Sequence, residues 1–198
     1  MKLLIATHNL KKQAEMQRIL SPLGFDVLTA EMAGVTLTDV EETGKTFREN
    51  AYLKAKSGCD ETGLPCVADD SGLCVDALGG APGVFSARFS GVHGNDDANI
   101  DKLLQELQTV PKGKRSAHFA CAVCLCFPNG RVVEVEGRCS GRIGFERHGQ
   151  GGFGYDPVFM VGEKSFAELT KEEKDRISHR GDALQKLAAA LKQEEEKE

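Results

Sequence analysis

The 198-residue sequence predicts an α/β fold. Three observations carry it. Residues 2–6 form a short apolar run that passes through a polar loop into a helix with one apolar face. Val67-Ala68-Asp69-Asp70-Ser71-Gly72-Leu73 is a second run of small apolar residues, and it stops at two carboxylates, a hydroxyl and a glycine. Residues 116–143 read as a long hairpin around the turn Pro128-Asn129-Gly130.

In chain order, residues 2–6 are apolar enough to predict a strand buried on both faces. Thr7-His8-Asn9-Leu10-Lys11-Lys12 follows, then a helix with apolar positions Met16, Ile19 and Leu20 that ends near Pro22-Leu23-Gly24. Asn9 can cap this helix, whose N-terminus offers backbone amides to an anion. Lys11 and Lys12 stand in the first turn, where cations oppose the helix dipole. An anionic ligand explains them better than helix stability does.

Residues 25–30 predict a second strand. Glu41-Glu42-Thr43-Gly44 is an acidic turn, and Thr46-Phe47-Arg48-Glu49 has capping-box spacing for a helix reaching about residue 61. Thr62-Gly63-Leu64-Pro65 interrupts the chain before the next strand. There, Asp69-Asp70-Ser71-Gly72 predicts a turn at a strand's carboxyl end, the edge where α/β proteins bind ligands. Adjacent side chains on extended backbone point to opposite faces, so the two carboxylates do different jobs. One faces a ligand or metal while the other ties down the turn.

Residues 73–78 are apolar around Asp76, and Gly79-Gly80-Ala81-Pro82-Gly83 is a sharply turned loop. Ile100, Leu103, Leu104 and Leu107 place a helix over residues 96–109. In the second hairpin strand, Val133, Val135 and Cys139 alternate with Glu134, Glu136 and Arg138, which gives it a wet face. His148-Gly149-Gln150-Gly151-Gly152-Phe153-Gly154-Tyr155-Asp156-Pro157 is a glycine-rich loop before a strand at residues 158–161. Phe153 and Tyr155, exposed among glycines, predict a stacking surface for a planar base. Thr170-Lys171-Glu172-Glu173 is another capping box and opens a short helix carrying Lys174. Ser178 caps the last helix, which places His179 and Arg180 at an N-terminus suited to anions. Ala183, Leu184, Leu187, Ala188 and Leu191 form its apolar stripe, and residues 193–198 are a charged tail expected to fray.

Composition bounds the function. With 40% hydrophobic and 28% charged residues the chain matches ordinary globular proteins. No apolar run is long enough for a membrane span, and the start of the chain does not predict a secretory leader. A net charge of −5 argues against a broad duplex-binding surface, though not against a local pocket for one phosphorylated small molecule. The 7 cysteines sit largely in apolar segments. Cys121-x-x-Cys124-x-Cys126 lies in a strand, where period two puts Cys121 and Cys124 on opposite faces and prevents joint metal ligation. Buried free thiols in a reducing cytoplasm are the expectation.

Lys11, Lys12, Lys174 and His179-Arg180 point to phosphate, Glu41-Glu42 and Asp69-Asp70 to a hard divalent metal such as magnesium, and Phe153 with Tyr155 to a ring. Together they describe a nucleotide site. Neither a Walker loop nor a dinucleotide glycine fingerprint is present, so hydrolysis is the simplest chemistry left. A binding protein without turnover, or a phosphohydrolase releasing orthophosphate, are the alternatives, and the product distinguishes them.

Six motifs occur in order: Ala6-Thr7-His8-Asn9-x-x-Lys12, Glu41-Glu42-Thr43-Gly44-x-Thr46-Phe47-x-Glu49-Asn50-Ala51, Ala68-Asp69-Asp70-Ser71-Gly72-Leu73, Gly79-Gly80-Ala81-Pro82-Gly83, Gly151-Gly152-Phe153-Gly154-Tyr155-Asp156-Pro157 and Ser178-His179-Arg180-Gly181. Over nearly the whole chain this pattern resembles the inosine triphosphate pyrophosphatase family. The resemblance implies a long mixed β-sheet flanked by helices, with two lobes around a central cleft. It also implies a single domain over residues 1–198, a cytoplasmic homodimer, and hydrolysis of the aberrant purine triphosphates ITP, dITP and XTP to the monophosphate and pyrophosphate. Thr7, His8, Asn9, Leu10, Lys11 and Lys12 would form the first phosphate-binding segment, with His8 standing where glycine is common in the family. Asp70 matches the proton acceptor and Mg2+ ligand, with Glu41 or Glu42 as second ligand, and Ser71 would touch substrate. Phe153, Gly154, Tyr155 and Asp156 would hold base and sugar. Lys174, His179 and Arg180 would read the purine 6-oxo edge and the phosphates. Asp70 or its neighbour Asp69 would activate the attacking water.

Overall fold

In β1 (Lys2–Ile5), Leu3 and Ile5 enter one buried cluster and Leu4 the opposite one. Period two therefore buries both faces, as an uninterrupted apolar run requires. This computed structural model describes residues 1–195. Asn9 caps α1 (Leu10–Leu20), accepting from the amides of Lys11 and Lys12. β2 (Asp26–Leu28) pairs parallel with β1. It is shorter than predicted because Thr29 caps a one-turn helix, α2 (Ala30–Ala33), which was not expected. The Thr46–Glu49 capping box opens α3 (Phe47–Thr62), and Gly63 ends it with φ +67°.

The main correction concerns residues 69–72. No turn forms there: β3 (Cys66–Val75) runs through all four residues. The polar groups need no turn because their partners are side chains set along the strand. β1 pairs only with Cys66 and Val67, and the Ala6 N–H bond to Val67 O follows. Asp69 and Asp70 thus stand just beyond the end of β1, where β3 has lost a neighbouring strand. The two carboxylates stand at the end of β1 inside a longer strand than the sequence predicts.

α4 (Asp96–Glu106) ends about a turn earlier than predicted. β4 (Ser116–Cys126) and β5 (Val132–Ile143) form the expected hairpin, closed by Phe127 N–H to Arg131 O. β6 (Phe159–Val161) is followed by a two-residue β7 (Lys164–Ser165) that has no periodicity to announce it. α5 (Lys171–Ile177) and α6 (His179–Glu195) complete the chain. The start of the tail expected to fray is helical to Glu195, and residues 196–198 lie outside the described residues. The sheet has the order β2-β1-β3-β4-β5-β6-β7. It is mixed: β1 runs parallel to β2 and β3, and β6 antiparallel to β5 and β7.

The chain divides into two compact units. The first contains Met1–Asp70, Cys121–Gly137 and the last helix from Arg180 onward. Its sheet is covered on both faces. On one face Leu3, Ile5, Val67, Cys121 and Val123 meet Met16 and Leu20 of α1 and Ala183, Leu184 and Leu187 of α6. On the other, Leu4, Cys66, Ala68, Ala122 and Cys124 meet Ala51, Ala55 and Cys59 of α3. Cys121 and Cys124 do lie on opposite faces, as period two requires. The second unit, Ser71–Ala120 with Arg138–His179, packs Leu73, Val75 and Phe119 against Ile100 and Leu103 of α4 and against Tyr155, Phe159 and Phe166.

Leu184 is fully buried where α6 meets the sheet of the first unit. Leu184→Ala should lower unfolding free energy by about 2–5 kcal/mol, the cost of lost burial plus a cavity, read as the shift of a urea unfolding midpoint.

Candidate active site

The first unit concentrates its charged side chains around Asp69 and Asp70. Asp69 is 1% exposed. Its Oδ2 accepts from Arg180 Nη2 at 2.9 Å and Nε at 3.2 Å, and Lys12 Nζ lies 3.3 Å away. Arg180 also pairs with Glu15 of α1. Asp70 points to the opposite side of the pleat. There Asn50 Nδ2 donates to its Oδ2 at 3.0 Å, and Lys54 Nζ lies 3.6 Å from its Oδ1. The same ammonium sits 2.6 Å from Glu42 Oε1. Glu42 and Asp70 therefore converge on one cation, whereas Glu41 is exposed.

The neighbouring aspartates are driven in opposite directions. Burial alone would raise the Asp69 carboxyl, but Arg180, Lys12 and Lys54 overcome it and hold the group far below the usual carboxylate range. At Asp70 burial prevails over Lys54 and Lys12, with Glu42 adding to it, and the carboxyl is raised. Burial works against the Lys54 ammonium, yet Asp70, Asp69 and Glu42 together raise it. One carboxylate is locked as an anion, and its neighbour holds a proton more readily than an ordinary aspartate.

In the second unit, Asp156 organises the glycine-rich loop. Its Oδ2 accepts from Lys174 Nζ at 2.6 Å and from the Phe153 amide at 2.9 Å. A Cβ on Gly152, which has φ +73°, would overlap that carboxylate oxygen, so the residue is glycine for two reasons. Lys174 Nζ lies 4.7 Å from the Phe153 ring centre, and the Gly154 amide donates to Asp96 Oδ2 at 2.8 Å. Phe153 is half-buried. Tyr155 corrects the sequence: its ring is buried in the core and its hydroxyl donates to Ser86 O at 2.9 Å, so it offers no stacking face. His179 is buried and stacks on Phe119 at 4.7 Å between ring centres, 14° from parallel.

Among the predicted site residues, Glu42 and Asp70 come together at Lys54, and Lys12 pairs with the adjacent Asp69. Thr7 and Asn9 turn inward on the chain, Thr7 Oγ1 accepting from the Asn9 amide and Asn9 Oδ1 from the amides of Lys11 and Lys12. These helix amides are thus bonded locally rather than open to an anion. His8 is exposed with its Nε2 3.3 Å from Thr38 O, while Leu10 and Lys11 are exposed and Ser71 is half-buried. Arg180 differs from expectation: its guanidinium is buried between Asp69 and Glu15, because two acids on separate elements already neutralise it there. Asp69 is a poor candidate base, since the same cations engage its oxygen and depress its affinity for a proton.

The sequence did not single out Asn50, Lys54, Glu15, Asp96 or Ser86. A signal existed for the first two. They stand at i, i+4 on α3, beside the small residues Ala51 and Ala55 that face the sheet. Six of the seven thiols are buried and Cys74 is half-buried, all of them unbridged. Among the described residues no three His, Cys, Asp or Glu side chains form a metal-holding group. Two carboxylates meeting at one ammonium are still a fitting donor set for a hard divalent ion that takes its remaining ligands from water and substrate phosphates.

A profile of the Ham1 family matches residues 3–190. A Bacillus licheniformis protein named dITP/XTP pyrophosphatase is 50% identical over 96% of this chain and 97% of its own length. Its Bacillus subtilis namesake is 47% identical over 95% and 96%. Among solved structures, a HAM1 protein from Coxiella burnetii superposes with a TM-score of 0.85 at 41% identity, covering 98% of this chain and 99% of the other. The Staphylococcus aureus Ham1 protein gives 0.83 at 39% identity, over 98% and 100%. Motif order, sheet and relatives agree over the same span, and the chain belongs to the Ham1 family.

Proposed function

We propose that this chain hydrolyses the purine triphosphates ITP, dITP and XTP to the nucleoside monophosphate and pyrophosphate, with Mg2+ as cofactor. Relatives named dITP/XTP pyrophosphatase support the reaction. The observation that carries it is the convergence of Glu42 and Asp70 on one ammonium, with Lys12 paired to the adjacent Asp69. A cytoplasmic homodimer belongs to the same reading, and the buried, unbridged thiols agree with a reducing compartment. No described helix is long and apolar enough to cross a membrane.

Glu42 and Asp70 would hold Mg2+, which when bound neutralises charge on the phosphate oxygens. Asp70 takes the proton of the water that attacks the α-phosphorus, since its carboxyl is raised while Asp69 is fixed as an anion. Lys12 and Lys54 present positive charge to the phosphates and the leaving pyrophosphate, where positioned charge supplies most of the catalysis. Thr7, His8, Asn9, Leu10 and Lys11 shape the segment around Lys12, and Ser71 continues the strand beyond Asp70. Phe153 and Gly154 take the base and sugar, with Tyr155 and Asp156 fixing the loop behind them. Lys174 and His179 read the purine edge. An ammonium only donates, so it pairs with a 6-oxo group and is left facing the 6-amino group of adenine, a mismatch of about 1–3 kcal/mol. Arg180 acts from behind, through Asp69.

ITP and ATP compared side by side, with and without Mg2+, test the reaction directly. Pyrophosphate should appear from ITP, little from ATP, and none without the metal. Orthophosphate as product, or equal use of ATP, would overturn it.

The two aspartates should separate in stability as well as in turnover. Asp70→Asn should abolish activity yet leave the metal-free melting temperature unchanged or higher, because it removes a charge that burial disfavours. Asp69→Asn should cost about 3–5 kcal/mol at neutral pH by leaving Arg180 short of a partner. The signs in pH are opposite. The native Asp69 carboxyl is depressed, so its stabilisation is present above the unfolded carboxylate value of about 3.9 and is lost as pH falls toward the native value. The native Asp70 carboxyl is raised, so it weakens the fold at neutral pH, and that penalty fades as pH falls through the raised value. Calorimetric melting of the native chain and both variants from pH 2 to 8 reads the difference.

A further inference from the structure

We propose that Asn50 is a positioning residue that fixes the spacing of Glu42 and Asp70, and so prepares the two-carboxylate set for a divalent ion. The inference rests on the reading above that these carboxylates hold the metal.

Asn50 directly follows Glu49, the last residue of the capping box of α3, and its amide is fully buried. Its Nδ2 donates to Asp70 Oδ2 at 3.0 Å, and its Oδ1 accepts from the Gly44 amide at 2.8 Å. A backbone N–H can only donate and a carboxylate only accept, so only one orientation of the side-chain amide serves both partners. That amide therefore ties the turn carrying Glu42 to the strand carrying Asp70. The fit has no slack on the turn side. A Cβ built on Gly44 would stand 2.5 Å from Asn50 Oδ1 and 2.7 Å from Glu49 Cβ. The backbone approaches Asn50 as closely as it does because residue 44 has no side chain.

Lys54 stands one helical turn further along α3 on the same side. It reaches Glu42 and Asp70 at 2.6 and 3.6 Å. Asn50 and Lys54 are thus two rungs between the same pair of segments, but they differ in kind. Lys54 holds the carboxylates by charge, and an arriving cation competes with it. Asn50 is neutral and bonds away from the Glu42 carboxylate, so it can stay in place when a cation arrives. Groups that orient metal ligands in this way commonly contribute 10- to 100-fold in affinity.

The test is Mn2+ binding to the full chain, followed by the loss of the free-ion electron paramagnetic resonance signal, which requires no turnover. Asn50→Ala removes the tie, and Gly44→Ala displaces the Asn50 amide without touching either carboxylate. Both should weaken Mn2+ binding by about 10- to 100-fold. Leu184→Ala, destabilised in the core of the same unit, should bind as the native chain does below its melting temperature. Where circular dichroism shows Asn50→Ala unfolded, Gly44→Ala decides alone. Native affinity in the folded variants, or an equal loss in Leu184→Ala, overturns the positioning role. Asp70→Asn separates the two levels: undiminished Mn2+ binding there would refute the metal reading itself rather than the part given to Asn50.

Discussion

The first unit depends on one buried ion pair, Asp69 with Arg180. The two residues are 111 positions apart and both are almost wholly buried. Taking an isolated carboxylate or guanidinium out of water costs several kcal/mol per ion, so neither could lie there alone. The arrangement holds because Glu15 meets the second end of the guanidinium and Lys12 approaches the carboxylate. One guanidinium thereby joins α1, β3 and α6, three elements that meet only in the folded chain. It also explains how β3 carries two acids through a buried stretch without breaking.

That anchoring gives adjacent carboxylates unlike chemistry. The pleat sends Asp69 toward α1 and α6 and Asp70 toward α3. On the first side a guanidinium and a lysine sit within hydrogen-bonding or ion-pair distance, and the anion is favoured. On the second side a neutral amide and a shared lysine do not outweigh burial, and the neutral acid gains ground. A single strand thus carries, at successive positions, one carboxyl held as an anion and one that burial moves toward its neutral form. Perturbed carboxylates driven apart in this way are the usual mark of divided acid–base labour.

Much of this was legible from local rules. Three capping signals, at Asn9, Thr46 and Thr170, start helices where spacing predicts, since caps are decided by neighbours in sequence. That Asp69 and Asp70 face opposite sides of the sheet follows from strand geometry alone. What could not be read depends on contacts across long stretches of chain. Asp69-Asp70-Ser71-Gly72 has turn composition, and only partners at Lys12, Asn50, Lys54 and Arg180 make it strand. Tyr155 sits among glycines, which suggests exposure, yet a core built from α4, β4 and β6 receives its ring. Arg180 at a helix start looks available to an anion, and only Asp69 and Glu15, 111 and 165 positions away, show that it is occupied. The two-residue β7 is too short for any periodicity to register.

The distribution of sulfur gives the chain a built-in reporter of its own opening. Five of the seven thiols, Cys59, Cys66, Cys121, Cys124 and Cys126, are buried in the first unit on β3, β4 and α3. Burial pushes the Cys66 thiol up to about 11, and Cys121 is raised as well, so neither offers much thiolate while its strand stays packed. In the second unit only Cys74 and Cys139 are present, and Cys74 is half-buried. Burial raises the Cys74 thiol too, so access decides: an alkylating reagent reaches the half-buried Cys74 before the buried thiols, which wait for their elements to open. The order in which sulfur is labelled records which unit breathes first.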